Sequence, residues 1–493
     1  MLDDTAAPYQ DQLTEHRYHD AVMDDDQLER LASNNPAMTV PTSCTLTMTP
    51  SSRRPQEAVV DRPPVDDVIS EEHVSDPALN ITTSTSNSYQ PESKYDKGWR
   101  RIVRNFSPAW FTPTMGTGVV SLLLIAIPFQ TDWLYWLSVV FFVLNLILFT
   151  LASVISMLRY TLYPEIWSVM IHDPNNSLFL ATAPMGFATL IGSFISLCCP
   201  YWGNWATTLA WILWMIDSIA SFAVSVSLSF ILISQTYLQS LDRITAVQLL
   251  PIAATIVASG QGAKAAHALI HYTSPPRPDA ALGTLLTSYV MWGMSTPFAL
   301  VTLVIYYQRL AVHKLPSREI IVSSFLPLGP LGMGGWTIMY LGAQARDILP
   351  LVPPFLSHVD SAADMLYLLG IFIALIMWAF GTVWFVYALA AIYSCGSFPF
   401  NMGWWGFTFP LGVFALSTMQ LGVGFPSLFF RVLGTVFGVL VTLLWAVVFS
   451  ATVRGAVKGT LFYAPCLKNL PRKGRHGACV EGVGKQGDLE KGA

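Results

Sequence analysis

The sequence predicts an all-α integral membrane protein with ten membrane-spanning helices. Of its 493 residues, 53% are hydrophobic and only 12% are charged, a composition that excludes an ordinary water-soluble domain. Ten apolar runs are long enough to supply the roughly 20 residues with which a helix crosses the hydrocarbon core. These runs are continuous rather than alternating, which argues against a transmembrane β-barrel. The predicted spans are 107–127, 133–158, 178–198, 205–234, 246–270, 281–307, 323–345, 362–393, 404–421 and 427–453.

The region before the first span has a different composition. Residues 1–93 contain 17 Asp and Glu against 5 Lys and Arg, and they are rich in Ser, Thr, Asn and Pro. Such a segment buries too little apolar surface to fold, and no apolar stretch follows a basic start as in a signal peptide. We therefore predict a disordered acidic cytoplasmic tail over 1–98, a transport domain over 99–460 and a basic, flexible cytoplasmic tail over 461–493.

Orientation follows from the basic residues in the loops, because Lys and Arg accumulate on the cytoplasmic side. Basic residues precede the first span, occupy alternate loops and follow the last span, whereas the opposite side carries few of them. An even number of spans then places both termini in the cytoplasm. The basic residues of the cytoplasmic side include Arg100, Arg101, Arg104, Arg159, Arg243, Arg309, Lys314, Arg318, Arg454 and Lys458.

A short repeat recurs in the odd-numbered spans. Pro or Thr is followed by an apolar residue and then by Gly or Ala, in PTMG (113–116), APMG (183–186), LPIA (250–253), GPLG (329–332) and FPLG (409–412). Proline removes a helical hydrogen bond and kinks a helix, and such breaks are tolerated beside protein or a wet cavity. The predicted helix breaks are Pro113, Pro184, Pro251, Pro330 and Pro410.

Five breaks at similar depth predict five helical hairpins in a quasi-fivefold arrangement around a central pore, with the even spans facing lipid. Broken helices offer positive dipole ends, which favour an anion. The alternative is that each copy serves packing only, since Gly and Pro are common in membrane helices. Phe409 immediately precedes the fifth break, where a large ring either plugs a narrow pore or fills a gap between helices.

Three stretches carry a family resemblance: NFSPAWFTPTMGTGVVS (105–121), HDPNNSLFLATAPMGFATLI (172–191) and FNMGWWGFTFPLGVFALST (400–418). They resemble the tellurite-resistance/dicarboxylate transporter family, which includes slow anion channels, and within it the fungal sulfite efflux branch. The resemblance implies ten helices as five hairpins around a pore, in a homotrimer with one pore per subunit. It also implies that the Phe of the motif WWGFTFPLG, here Phe409, closes the pore.

Charged residues inside spans usually face a cavity or a partner. Lys264 lies in SGQGAKAAHAL, where small residues let water approach, so it either attracts the anion or ties helices together. Asp217 lies on an outer span and is expected to make a structural hydrogen bond or a subunit contact. Arg346 and Asp347 end the seventh span on the outer side, where they are expected to pair at the interface; the alternative is that Arg346 attracts anions from outside.

No metal or cofactor is predicted. The six cysteines follow no ligand or disulfide spacing. His267 and His271 have the i, i+4 spacing that can bind a metal, but no third ligand is evident in the sequence.

The expected function is efflux of sulfite or bisulfite across a fungal plasma membrane, without a nucleic-acid partner and within membrane lipid. The expected path is lined by Thr114, Thr117, Thr182, Phe187 and Lys264. A C4-dicarboxylate permease, such as a malate carrier, stays open as the alternative. A membrane-embedded enzyme is disfavoured, because the sequence lacks clustered catalytic residues.

Overall fold

A computed structural model describes residues 98–174, 176–234, 240–352 and 361–463, together with residue 467. All of them belong to the unit Ser88–Ala493. The predicted acidic tail lies outside the described residues except for Gly98, and the predicted basic tail lies outside them beyond Tyr463 apart from residue 467.

Throughout the described residues the regular elements are helical, as the sequence predicts. Two short helices, α1 (Trp99–Arg104) and α4 (Glu165–Ile171), accompany ten long ones. The long helices are α2 (Thr112–Ala126), α3 (Asp132–Leu162), α5 (Thr182–Leu197), α6 (Cys199–Ser234), α7 (Leu249–His271), α8 (Pro278–His313), α9 (Leu328–Ile348), α10 (Ala362–Cys395), α11 (Trp405–Gly424) and α12 (Leu428–Val457).

The long helices form five consecutive hairpins. Each of α2, α5, α7, α9 and α11 packs against the long helix that follows it, and each also packs against two of the other four. The contacts run from α2 to α5, α7, α9 and α11 and then back to α2, which closes a ring. The first helix of each hairpin is therefore an inner helix, and the predicted quasi-fivefold arrangement of hairpins is confirmed.

Burial separates the two sets of helices. In the most apolar stretch of the inner helices α2, α5, α7 and α11, 72% to 89% of the residues are buried. In the corresponding stretch of the five second helices, 22% to 33% are buried. An outer helix in lipid needs to bury only the stripe that faces its partner, whereas an inner helix is surrounded by protein. The lower burial of the second helices agrees with the prediction that the even-numbered spans face outward.

Nine helices of the described chain are long and apolar enough to cross a membrane, where ten spans were predicted. The remaining helix, α9, has 21 residues and is buried along most of its length. Its five glycines and the terminal Arg346 and Asp347 lower its hydropathy. Because its contacts close the ring between α7 and α11, α9 occupies the place of the predicted seventh span, 323–345, and brings the number of long helices in the ring of hairpins to ten.

Short 3₁₀ segments lead into all five inner helices. They are Pro108–Phe111, Ser177–Ala181, Ala246–Gln248, Ile321–Phe325 and Met402–Trp404. The repeated prolines then fall just inside the α-helices: Pro113, Pro184, Pro251 and Pro330 lie in the first turn, and Pro410 is the sixth residue of α11. In a first turn proline removes no α-helical hydrogen bond. Four of the five therefore mark where an inner helix begins, instead of kinking a helix that has already started, as the sequence suggested.

Glycine allows the inner helices to approach closely. Each of the five contacts in the ring contains a glycine whose replacement by a larger residue would bring a new Cβ into a neighbour, the pattern of small residues found at membrane helix interfaces. The glycine and neighbour pairs are Gly118 with Thr189, Gly192 with Gln261, Gly260 with Thr337, Gly332 with Phe414, and Gly412 with Val119.

Candidate functional site

Two cavities lie at the centre of the ring, and each is lined by residues from all five inner helices. The large cavity, of about 440 Å³, is lined by residues near the N-terminal ends of those helices. Among them are Met115 on α2, Met185 on α5, Leu250 on α7, Pro330 on α9 and Trp405 on α11. Since all five inner helices begin at this end, their positive dipole ends surround the large cavity.

The small cavity, of about 190 Å³, is lined further along the same helices. Its wall is largely apolar, with Val257, Met333 and Leu416 among the lining residues. Its polar lining residues are Thr189, Ser196, Gln261, Lys264, Tyr340 and Gln420. Lys264 is the one charged residue among the described residues that line it, so the small cavity has a positive wall.

Phe409 is shared by the walls of the two cavities. It alone among the described residues lines both of them, and its side chain is only 5% exposed. It belongs to the same buried cluster as Met115, Val119, Leu250 and Met333, which lie on three other inner helices. Phe409 thus lies at the boundary between the large and the small cavity.

Lys264 is held at the wall of the small cavity by two contacts. Its Nζ donates a hydrogen bond to Ser196 Oγ over 3.2 Å, and the ammonium lies 5.5 Å from the centre of the Trp336 ring, within reach of a cation–π interaction. Neither contact neutralises the charge. An ammonium has three donors, so Lys264 keeps the capacity to bind an anion in this cavity.

Gln261 is a candidate that the sequence analysis missed. It lies three residues before Lys264, one turn of α7 away, and also lines the small cavity. Its side chain is 1% exposed, and its Oε1 has no hydrogen-bond partner among the described residues. The signal was present in the sequence, because i, i+3 residues share a helix face and Gln261 belongs to the same SGQGAKAAHAL stretch.

Four residues that were predicted to line the substrate path lie outside both cavity walls. Thr114 and Thr117 donate hydrogen bonds to the backbone of their own segment, and Thr117 also accepts one from Trp445 on α12. Thr182 donates to the carbonyl oxygens of Phe179 and Pro108, and Phe187 stacks on Phe149 of α3. Their role in the path stays a prediction, and the function proposed below is argued from other residues.

Asp217 differs from its expected role. It is fully buried within the chain, on α6, and neither carboxylate oxygen has a hydrogen-bond partner among the described residues. The structure therefore gives neither the structural hydrogen bond nor the exposure that a subunit contact would need. It also lies outside the walls of both cavities.

A polar cluster lies where α7 and α9 end. His267 Nδ1 is 3.0 Å from Gln344 Oε1, and His271 Nε2 is 3.6 Å from Asp347 Oδ2. Arg346 pairs with Asp364 on α10 at 3.0 Å, instead of with Asp347 as the sequence suggested. Beside the two histidines, Asp347 is a third potential metal ligand, which the sequence did not reveal.

The sequence matches the voltage-dependent anion channel family over residues 105–453. It is 45% identical over 370 residues to a sulfite efflux pump of Arthroderma benhamiae, an alignment that covers 75% of this chain and 93% of that protein. It is 23% identical to the sulfite efflux pump of Saccharomyces cerevisiae, over 68% of this chain and 84% of that one. A malic acid transport protein of Schizosaccharomyces pombe is also 23% identical, over 73% of this chain and 81% of its own.

Proposed function

The chain belongs to the voltage-dependent anion channel family, and from that premise we propose that it exports sulfite and bisulfite from the cytosol across the plasma membrane. The choice of sulfite is supported by the 45% identity to a sulfite efflux pump over 93% of that protein's length. Transport rather than catalysis is supported by the family, which is one of anion channels, and by relatives that are efflux pumps or acid transporters; the two cavities inside the ring offer an anion places to occupy on its way.

The observation that carries the mechanism is the position of Phe409 on both cavity walls. In this proposal an anion enters the large cavity, waits behind the Phe409 ring and passes when the ring rotates aside. A hydrophobic constriction of this kind stops a hydrated ion without a charged barrier. The small cavity then receives the anion at Lys264 and Gln261.

The electrostatics favour a singly or doubly charged anion that is bound weakly. The dipole ends of five helices and one ammonium supply positive potential at two depths, and the exposed carboxylate of Glu319, which also lines the large cavity, opposes it at that depth only. Conduction needs sites that attract an ion without holding it. An inside-negative membrane potential drives anions outward, by about 2.3 kcal/mol for each negative charge and each 100 mV. Export of sulfite therefore needs no coupled proton in this proposal.

Orientation and assembly complete the proposal. The basic loops lie at the end of the ring where the inner helices begin, for instance at Arg104, Arg243 and Lys314, so we assign the large cavity to the cytoplasmic side. The outer helices expose long apolar faces, which suit contact with lipid and with two further copies of the chain in a homotrimer.

Reconstitution of the purified protein into proteoliposomes tests the substrate. Under an outward anion gradient we expect flux of sulfite that is well above the flux of malate, measured in the same vesicles. Liposomes without protein give the background. If the unmodified protein shows no flux, vesicles with the Phe409→Ala variant report whether the protein is folded but closed, because this variant is expected to be open. Malate flux without sulfite flux would replace the proposal by the dicarboxylate alternative.

A further inference from the structure

We propose that His267, His271 and Asp347 form a binding site for a divalent transition metal, with Zn²⁺ as the ion that suits it best. The three residues come from the C-terminal ends of two neighbouring inner helices, α7 and α9. Their potential ligand atoms all lie within 4.8 Å of one another. This inference does not depend on which anion the protein transports.

The geometry of the exposed pair fits a shared ion. His271 Nε2 and Asp347 Oδ2 are 3.6 Å apart. Two ligands at about 2.1 Å from a tetrahedral zinc are separated by about 3.4 Å, so this pair needs little adjustment. Both side chains are nearly half exposed, at 43% and 44%, which gives an ion from solution access to the site.

Gln344 prepares His267 as the second imidazole ligand. The Gln344 amide carbonyl, Oε1, lies 3.0 Å from Nδ1 of His267, where it accepts the Nδ1–H hydrogen bond. That hydrogen bond selects the tautomer whose Nε2 carries the free lone pair, an arrangement typical of metal-binding histidines. Gln344 is 4% exposed, so its amide is held in place by the packing of α9.

The rings of the two histidines are in direct contact. They are spaced i, i+4 on α7, and their ring centres are only 4.2 Å apart. Two imidazoles and one carboxylate are a donor set that first-row transition metals prefer, whereas Ca²⁺ and Mg²⁺ favour oxygen ligands alone. A water molecule would supply the fourth ligand of zinc.

Titration calorimetry with Zn²⁺ tests the site, using full-length protein in lipid nanodiscs after removal of any histidine tag. We expect one Zn²⁺ per chain in the unmodified protein. His271→Ala and Asp347→Asn should each weaken Zn²⁺ binding by at least about tenfold, and Gln344→Leu by about tenfold through loss of the orienting hydrogen bond.

Matched controls separate this site from general metal binding. His313→Ala removes an exposed histidine at the C-terminal end of α8, which is the end far from His271. Asp279→Asn removes an exposed carboxylate in the first turn of α8. Both variants should leave Zn²⁺ binding unchanged. Asp347→His should restore most of the affinity that Asp347→Asn loses. Equal binding by all variants, or no Zn²⁺ bound by the unmodified protein, would overturn the proposal, whereas loss of sulfite flux would not bear on it.

Discussion

Lys264 donates a hydrogen bond to the hydroxyl of Ser196 over 3.2 Å, which links inner helix α7 to inner helix α5 at the wall of the small cavity. The hydroxyl partner is neutral, so the hydrogen bond fixes the direction of the ammonium without cancelling its charge. A carboxylate at position 196 would instead have cancelled the charge of the ammonium. The arrangement therefore leaves one positive charge directed along the wall of a cavity that is otherwise largely apolar.

Replacing Lys264 by Met should lower sulfite flux by about tenfold or more. A hydrogen bond to a charged group contributes about 1.5–3 kcal/mol, and each 1.4 kcal/mol corresponds to about a factor of ten. Met has a similar volume and is tolerated in apolar surroundings, so thermal unfolding should change little. Flux in proteoliposomes and unfolding temperature would be measured on the same preparation.

Two controls distinguish the charge of Lys264 from its contacts. Lys264→Arg keeps the charge and should keep most of the flux, and Ser196→Ala removes only the neutral hydrogen-bond partner. If Lys264→Met and Ser196→Ala reduce flux and unfolding temperature by the same amounts, Lys264 is a tie between α5 and α7 and not an anion site.

Gln261→Leu should reduce sulfite flux while it maintains or raises stability. Removing a buried polar atom that lacks a partner is neutral or stabilising, and Gln261 Oε1 is such an atom within the described chain. A Gln kept only for packing would therefore be replaced by Leu without any effect on flux. Unchanged sulfite flux in the Leu variant would remove Gln261 from the proposed path.

Asp217→Leu should leave sulfite flux unchanged and should not lower the unfolding temperature. The carboxyl group is buried on α6 and has no hydrogen-bond partner among the described residues, and burial of an unpaired polar group costs free energy. The measurement is flux and thermal unfolding beside the unmodified chain. A variant that folds normally but no longer transports sulfite would show that Asp217 participates in transport.

The ring of hairpins could be predicted from the sequence because two local signals agree. Apolar runs of sufficient length give the helices, and the repeat in alternate runs distinguishes inner from outer ones. The effect of the prolines could not be predicted in the same way. Whether Pro184 or Pro330 kinks a helix depends on where the α-helix begins, and a preceding 3₁₀ segment moves that start to within two residues of the proline.

The cavity walls were harder to predict, for a physical reason. Inner helices are surrounded by protein and are apolar on nearly every side, so the sequence does not show which face is turned to the axis. Hydroxyl groups in the sequence are also misleading, because a hydroxyl can be used inside the protein and not in a cavity. The Thr117 hydroxyl donates a hydrogen bond to the backbone of its own helix and accepts one from the Trp445 indole. Asp347 joins His271 only through the packing of α9 on α7, which no local pattern reveals.

Gly332→Ala should destabilise the protein by about 1–3 kcal/mol, the usual range for overpacking. A Cβ at position 332 would lie 2.7 Å from the Cα and N atoms of Phe414. Backbone atoms cannot rotate away, so α9 and α11 would have to separate. Gly329→Ala on the same helix meets nothing within 4 Å and should not lower stability. Equal unfolding temperatures for the two variants would contradict the close approach of these helices.

Phe409→Ala should raise anion conductance, because it joins the large and small cavities into one passage along the axis. Phe407→Ala is the matched control: Phe407 is also buried on α11 and packs edge-on against Phe325, with ring centres 5.0 Å apart, but it lines neither cavity. Both variants lose a buried ring, at a cost of about 3–5 kcal/mol of stability, so a general loosening of the fold would affect them alike. Planar-bilayer or whole-cell recording should show increased anion current for Phe409→Ala alone, with a smaller increase for Phe409→Leu. If Phe409→Ala reaches the membrane in normal amounts and its current equals that of the unmodified protein, Phe409 fills a gap between helices and the passage is closed elsewhere.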